Sequence, residues 1–185
     1  MKDYTQLSDR NLVLLIQEGK APDAAFSELY SRYKSKVWSF CGYMLGRSAS
    51  AEDVFQDIFF NLYTKIKEGH RIDNPASYLM SSARNLCLNC LRNRKSNLPL
   101  ESAMIKPDDE FPYEKKELYE LIITSLELLD LKYKEAFVLS KIEGFSSGEI
   151  AEICGISEEG VKTRIKRARL RILEILEPYL KDLCK

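Results

Sequence analysis

The sequence is poor in the residues that build metal and catalytic sites. It has one histidine, His70, and five cysteines among 185 residues. Cys87 and Cys90 have the spacing of half a zinc site, but no second cysteine pair completes a four-ligand set. No nucleophile–base arrangement and no phosphate-binding glycine loop is present. We therefore expect no metal, no cofactor and no catalysis, and interpret the cysteines as reduced, buried apolar residues.

Long hydrophobic runs are also missing. The chain has no apolar stretch of about 18 residues, and Met1 to Arg10 is polar, without the apolar core of a signal peptide. We expect a cytoplasmic protein that is not inserted in a membrane. Apolar residues still make up 45% of the chain, which suffices for one domain or two small ones.

The chain has no excess charge of either sign, with 28 basic and 28 acidic residues. The charges are nevertheless distributed unevenly along the chain. Residues 1–97 carry 14 basic and 10 acidic residues, residues 98–117 carry 3 and 6, and residues 118–185 carry 11 and 12. Because local fields matter more than the sum, zero net charge does not exclude nucleic acid as a partner.

Hydrophobic periodicity predicts helices throughout and no strand, so the predicted fold class is all-α. Four helices are expected in the first half of the chain, with start signals at Ser8, Asp23, Ser50 and Asn74. The fourth is expected to reach about Arg94. Two further helices, ending at Asp130 and Gly144, should precede the last module.

A proline-containing acidic segment divides the chain. Residues 97–113 contain three prolines and an acidic cluster, and prolines that close together do not permit a continuous helix. We expect a flexible linker there. The predicted domains are therefore residues 1–96 and 114–185.

Residues 145–171 have the spacing of a helix-turn-helix. Ser146 or Ser147 can cap a short first helix, and Gly155 suits a turn that requires a positive φ. Ser157 can cap the second helix, and Val161 returns that helix to the core.

The second of these helices is strongly basic on its outward side. Six basic residues and no acidic residue lie from Lys162 to Arg171. Steps of about 100° per residue from Val161 place Lys162, Thr163, Lys166 and Arg167 outward, with Arg164, Arg169 and Arg171 on the flanks. Such a helix fits a DNA major groove, where long cations reach guanine edges and phosphates. The alternative is a solvated helix whose charges only keep the protein soluble.

The C-terminal half of the fourth helix predicts a second electropositive surface. No acidic residue occurs between Asp73 and Glu101. The basic residues of this stretch are Arg84, Arg92, Arg94 and Lys95. We expect this surface to be separate from the helix-turn-helix.

Three stretches occur in the order found in one protein family: residues 51–59 (AEDVFQDIF), 78–89 (YLMSSARNLCLN) and 143–169. On these the chain resembles bacterial RNA polymerase sigma factors of the extracytoplasmic-function (ECF, group four) type within the sigma-70 family. The resemblance covers most of the chain except the linker. It implies an all-α protein with a region 2 and a region 4 domain that directs core RNA polymerase to promoters.

The resemblance also implies sites in region 2. That domain binds the β′ clamp helices of polymerase, and the matching surface residues are Asp53, Gln56 and Asp57. Alternatively, Asp53 only caps its helix. The segment from Gly69 to Ser77 corresponds to a loop that captures a flipped base of the −10 element. The residues expected to bind the −10 element and melted strand are Arg71, Asp73, Asn74, Ser77, Arg84, Asn85, Arg92 and Arg94. The alternative for the loop is an ordinary Asx-capped turn.

In region 4 the resemblance implies recognition of the −35 element. Lys162, Thr163, Lys166 and Arg167 are expected to read bases, and Arg164, Arg169, Ser146 and Ser147 to contact phosphates. The implied partners are core RNA polymerase through its β′ clamp helices and β subunit, promoter DNA, and an anti-sigma factor.

Two other functions remain open from the sequence. One is a helix-turn-helix regulator that binds a palindromic operator without polymerase. The other is an enzyme or all-helical adaptor in which the aromatic residues of the second helix line a pocket. Their continuous stripe favours packing over a pocket.

Overall fold

The computed structural model describes residues 4–46, 49–94 and 121–183. Every regular element in these ranges is helical, which confirms the predicted all-α class. The chain divides into two compact units, Met1–Pro99 (unit 1) and Leu100–Lys185 (unit 2). The predicted linker, residues 97–113, and both predicted domain boundaries lie outside the described residues.

The described part of unit 1 is a bundle of four helices, namely α1 (Asp9–Gln17), α2 (Pro22–Leu45), α3 (Ala49–Lys67) and α4 (Pro75–Arg94). Helix α2 packs against each of the other three, and α3 also packs against α1 and α4. Large side chains from all four helices are fully buried, among them Leu12, Leu29, Phe40, Ile58 and Leu79. The apolar stripes predicted from the periodicity therefore meet in one core.

Two of the predicted helix starts are confirmed, and two need correction. The Ser8 side chain accepts from the Asn11 backbone and caps α1, and Asn74 caps α4 in the same way. The prediction that Asp23 caps α2 is wrong. Pro22 already occupies the first helical position, where its missing N–H is tolerated, so Asp23 lies inside the first turn. Helix α3 is helical from Ala49, one residue before the predicted Ser50.

Arg32 of α2 holds the N-terminal segment against the bundle. Its guanidinium lies 2.7 Å from the carboxylates of both Asp9 and Glu28. It also donates to the backbone carbonyls of Tyr4 and Thr5. Hydrogen bonds to Glu28 and Asp9 raise the pKa of Arg32. One side chain therefore connects α1 and the residues before it to α2.

Unit 2 contains α5 (described over residues 121–127), α6 (Leu131–Phe137), α7 (Ser147–Cys154) and α8 (Glu158–Leu183). Helix α8 packs against both α6 and α7. Helix α5 ends before the predicted Asp130, because a turn intervenes. A π-helical turn, Val138–Ile142, continues α6 and stops before the predicted Gly144, which adopts a φ of 77°. Periodicity at 3.6 residues per turn does not reveal such a local widening.

The thiols have the environment expected of buried apolar residues. Cys41, Cys87 and Cys154 are buried and Cys90 is half-buried, and none of these four forms a disulfide. Cys184 lies outside the described residues. A hydrogen bond with Cys41 and burial raise the pKa of the Cys87 thiol, which keeps it protonated. Over the described ranges no group of three or more histidine, cysteine or acidic side chains is arranged to hold a metal ion. No helix in those ranges is long and apolar enough to span a bilayer.

We predict that Arg32→Ala destabilises unit 1 by about 2 kcal/mol, because it removes two partly buried ion pairs and leaves two carbonyls without their donor. The single tryptophan, Trp38, lies in α2 and stacks edge-on against Phe55 of α3 at 5.4 Å. Its fluorescence therefore follows the unfolding of unit 1. Arg10→Ala, at an exposed position of α1, is the control. Equal denaturation midpoints for the two variants would show that the Arg32 contacts add nothing.

Candidate nucleic-acid interface

Helices α7 and α8 form the predicted helix-turn-helix. The Ser146 hydroxyl accepts from the Glu149 backbone N–H at 3.3 Å, and the Glu149 carboxylate accepts from the Ser146 backbone N–H at 2.9 Å. This reciprocal capping box starts α7. Gly155 turns the chain with a φ of 65°, and the Ser157 hydroxyl accepts from the Gly160 backbone N–H at 3.1 Å to start α8. The caps and the turn that were predicted for the helix-turn-helix are therefore confirmed.

The two faces of α8 are separated as predicted. Val161 and Ala168 are completely buried and Ile172 nearly so, which fixes the inward side of the helix. The four residues predicted to read bases are all exposed, namely Lys162, Thr163, Lys166 and Arg167. Arg169, predicted to contact phosphate, is exposed as well. The structure therefore gathers these cations on one accessible face, and their contacts with DNA remain predictions.

Arg164 differs from its neighbours because it binds a buried acid of the same unit. Its guanidinium lies 3.3 Å from the carboxylate of Glu135 in α6, and the Glu135 side chain is only 2% exposed. A buried carboxylate requires a partner, so this pair fastens α8 to α6. The predicted phosphate contact of Arg164 competes with this structural role.

The two serines predicted to contact phosphate are also occupied or partly covered. Ser146 uses its hydroxyl in the capping box, where it additionally donates to Glu149 at 2.7 Å. Ser147 is half-buried in the first turn of α7. The Ser146 backbone N–H already donates to the Glu149 carboxylate, whereas the Ser147 N–H lies in the first turn of a helix, where a phosphate is favoured. A phosphate role for these two residues remains a prediction.

A cavity of about 500 Å³ borders the outward face of α8. It lies between the beginning of α6 and the beginning of α8, and its lining includes Lys132, Tyr133, Thr163 and Arg167. The Arg167 guanidinium donates to the Tyr133 hydroxyl at 3.1 Å, and this bond lowers the pKa of Tyr133. Lys132 and Tyr133 could not be predicted from the sequence of α8, because they lie on another helix.

In unit 1 the loop before α4 combines a capped turn with exposed charges. The Asn74 side chain accepts from the Ser77 backbone N–H at 3.0 Å, so the Asx cap considered as an alternative is present. Arg71 and Asp73 form an ion pair at 2.8 Å, with side chains 84% and 61% exposed. The loop therefore offers one guanidinium and one carboxylate to the surroundings, while Asn74 has a structural role.

Four of the predicted −10 residues share one side of α4. Steps of about 100° per residue place Ser77, Arg84, Asn85 and Arg92 within a sector of about 100°, away from the buried Leu79. Asn85 and Arg92 are exposed, whereas Ser77 and Arg84 are half-buried. The remaining one, Arg94, is the last residue of α4, and its side chain lies outside the described residues. The loop and this side of α4 are thus adjacent along the chain.

The residues predicted to bind polymerase share one face of α3. Asp53, Gln56 and Asp57 are all exposed and fall within about 100° of one another around the helix axis. Asp53 is at least five residues into α3, beyond the first turn, so it does not cap the helix. The alternative offered for this residue is therefore wrong.

Phe60 lies on the same face and was missed by the sequence analysis. Its side chain is 69% exposed. It borders a cavity of about 540 Å³ between α2 and α3, which Gln56 also lines. The aromatic residues of this groove are Phe26, Tyr30, Phe55, Phe59, Phe60 and Tyr63. Several of these rings contact one another edge-on, as Tyr30 and Phe59 do at 4.8 Å. We had expected the aromatic residues of α2 to pack inside the bundle. Phe26 and Tyr30 instead line this groove.

Comparisons with known proteins agree with this architecture. A family model described as Sigma-70 region 2 matches residues 29–97, and one described as Sigma-70, region 4 matches residues 119–172. The chain is 31% identical over 181 residues to the ECF RNA polymerase sigma factor SigW of Bacillus subtilis, covering 90% of this chain and 95% of SigW. It is 30% identical over 162 residues to the RNA polymerase sigma factor CarQ of Myxococcus xanthus, covering 82% and 89%.

A solved structure has the same fold. The sigma factor RpoE of Bartonella quintana, crystallised with the anti-sigma factor NepR, superposes with a TM-score of 0.70 at 24% identity. The match covers 82% of this chain and 96% of RpoE.

We predict that Arg164→Ala destabilises unit 2 by about 3 kcal/mol, because it leaves the buried Glu135 carboxylate without its arginine. Thermal unfolding followed by far-UV circular dichroism measures this, since Trp38 lies in the other unit. Arg169→Ala, an exposed arginine of the same helix, should change stability by less than about 0.5 kcal/mol. If Arg164→Ala is as stable as the wild type, the pair with Glu135 does not stabilise unit 2, and Arg164 is available to contact DNA.

Proposed function

The chain belongs to the extracytoplasmic-function sigma factors of the sigma-70 family, and from this we propose that it binds core RNA polymerase and directs it to promoters. One observation supports this most directly. Each unit presents its own accessible face of basic and polar residues, and each unit matches a different DNA-binding region of the family. We place its action in the cytoplasm, with the polymerase.

Unit 2 would bind the −35 element as a duplex. The exposed face of α8 has the width and charge of a major-groove reader, with Lys162, Lys166 and Arg167 able to reach guanine edges. Thr163 offers a hydroxyl and a methyl group between them. Arg169, on the flank, would bind phosphate.

Unit 1 would bind the −10 element and its melted strand. A base leaves the stack only if a pocket with hydrogen-bonding groups offsets about a few kcal/mol of unstacking. The exposed Arg71 and Asp73 supply such groups, while Asn74 fixes the start of α4. Asn85 and Arg92 would follow the adjacent backbone along one side of that helix.

Core polymerase would dock on α3. Asp53, Gln56 and Asp57 form a polar, mostly acidic face, and Phe60 extends this face into the aromatic groove. Because Gln56 and Phe60 line the groove and lie beside the two aspartates, we propose one continuous surface. Its partner is a basic and apolar helical segment of polymerase, in keeping with the family's use of the β′ clamp helices.

The mechanism is binding without covalent chemistry. Two DNA-reading units joined in one chain need only moderate affinity each, because binding of one raises the effective concentration of the other. Initiation then depends on both promoter elements. An anti-sigma factor would act by covering one of these surfaces, as a partner of the kind that accompanies RpoE in its solved structure.

A regulator that binds an operator without polymerase is not favoured. Unit 1 matches sigma-70 region 2, and the relatives that align along most of the chain are sigma factors. An enzyme using the aromatic groove is not favoured either, because six of the nine residues in its lining are aromatic, which suits the docking of an apolar partner better than catalysis.

Run-off transcription with purified bacterial core polymerase tests the function. We expect the chain to confer initiation on a subset of a promoter library, with sequence preference at both −35 and −10 positions. The Lys162→Ala variant should keep its −10 preference and relax at −35, with a loss of about 1–3 kcal/mol if Lys162 contacts a base. Lys141→Ala, an exposed lysine of the same unit, is the control.

Two results would contradict this function. One is a failure to direct initiation by any bacterial core polymerase. The other is tight binding of a symmetric operator by the chain alone.

Polymerase docking has its own test. We predict that the double variant Asp53→Ala with Gln56→Ala, and separately Phe60→Ala, lose most of their binding to core polymerase in a pull-down. These side chains are exposed, so the helical circular dichroism and the Trp38 fluorescence should stay unchanged. The control is Leu14→Ala, at an exposed leucine of α1 in the same unit. Retention of polymerase by Phe60→Ala alone would restrict the docking surface to the polar residues.

A further inference from the structure

We propose that Tyr133 of α6 is a positioning residue that holds the Arg167 guanidinium in place for the −35 duplex. The inference rests on the proposed function. It extends the proposed DNA interface beyond α7 and α8 to a residue of α6. The observation behind it is the hydrogen bond of 3.1 Å from Arg167 to the Tyr133 hydroxyl, at the edge of the exposed face of α8.

Two arginines of α8 face α6, and their partners differ in charge. Arg164 binds Glu135, a carboxylate, and its charge is neutralised in the interior. Arg167, about one turn later, binds a phenol and forms no ion pair with an acid among the described residues. A neutral acceptor fixes the direction of a guanidinium without cancelling its charge. Glu135 is thus suited to anchoring α8, and Tyr133 to presenting a cation.

Orientation matters because an arginine loses much side-chain freedom on binding. Both long basic side chains carry about 2 kcal/mol of rotamer entropy, part of which is lost when they contact DNA. A guanidinium already held by a hydroxyl has less freedom to lose. The bond to Tyr133 uses one N–H, and the guanidinium has five, so an edge remains for a bidentate contact with guanine or phosphate.

The surroundings of Tyr133 favour this use. The ammonium of Lys132 lies 4.9 Å from the centre of the Tyr133 ring, so two cations flank one phenol. Glu159 is the one carboxylate in the cavity lining, and within the described residues it pairs with neither cation. The hydrogen bond with Arg167 lowers the pKa of Tyr133, as expected for a phenol oxygen that accepts directly from a cation. The cavity therefore presents the cations of Lys132 and Arg167 beside the exposed face of α8.

The test uses holoenzyme assembled from the full chain and core polymerase, with a promoter library randomised at the −35 element. Tyr133→Phe removes only the hydroxyl. We expect about threefold to tenfold less initiation, the range for losing one partly exposed hydrogen bond to a charged group. Sequence preference should relax at the same base pair that Arg167→Ala affects. The double variant should be no worse than Arg167→Ala alone, because the hydroxyl acts through the guanidinium.

Tyr179→Phe is the matched control, since it removes the hydroxyl of a different tyrosine of unit 2, which is exposed. Both variants should melt at the wild-type temperature. Wild-type preference in Tyr133→Phe, or additive losses in the double variant, would overturn the role of Tyr133 and leave the proposed function intact. Failure of the wild-type holoenzyme to select any −35 sequence would instead overturn the proposed function itself.

Discussion

The orientation of α8 depends on one buried carboxylate. Glu135 is almost completely enclosed, and Arg164 of α8 forms an ion pair with it at 3.3 Å. Because a buried charge without a partner is expensive, α8 cannot rotate about its axis without a large loss of stability. The helix is also held by Val161 and Ala168 in the core. With these two restraints, Lys162, Lys166 and Arg167 remain exposed on the other side of α8, which is the side that we propose enters a DNA groove.

Unit 1 exposes two surfaces of opposite charge on one small bundle, an acidic one on α3 and a basic one on α4. The stripe that fills its core occupies one side of α3, which leaves the acidic face and Phe60 on the other. The basic and polar side of α4 belongs to a helix with no acidic residue. Helix α2 lies centrally and contributes aromatic rings to the groove with α3. Separate helices thus keep the acidic surface and the basic surface from neutralising each other.

Much of this architecture could be predicted from local signals. The helix-turn-helix, its caps and the exposed cations of α8 follow from spacing and turn chemistry, which act over a few residues. What could not be predicted lies between helices. Whether an arginine meets an acid or a phenol on α6 depends on the packing of residues about 30 positions apart, as for Arg164 with Glu135 and Arg167 with Tyr133. The π-helical turn and the aromatic groove likewise arise from tertiary packing.

The zero net charge of the chain is consistent with separate acidic and basic surfaces on different helices. Binding to DNA of any sequence grows with the number of phosphates that a protein neutralises, so a uniformly basic chain would be retained throughout the genome. Here the stretch of α8 from Lys162 to Arg171 carries no acidic residue, while the exposed Asp53 and Asp57 lie on α3, where we propose that polymerase binds. Because each cationic face would neutralise only a few phosphates, we expect neither to hold DNA strongly alone. Affinity for a promoter must then come from the simultaneous use of both faces on the polymerase, which is the condition for selecting a start site rather than a stretch of DNA.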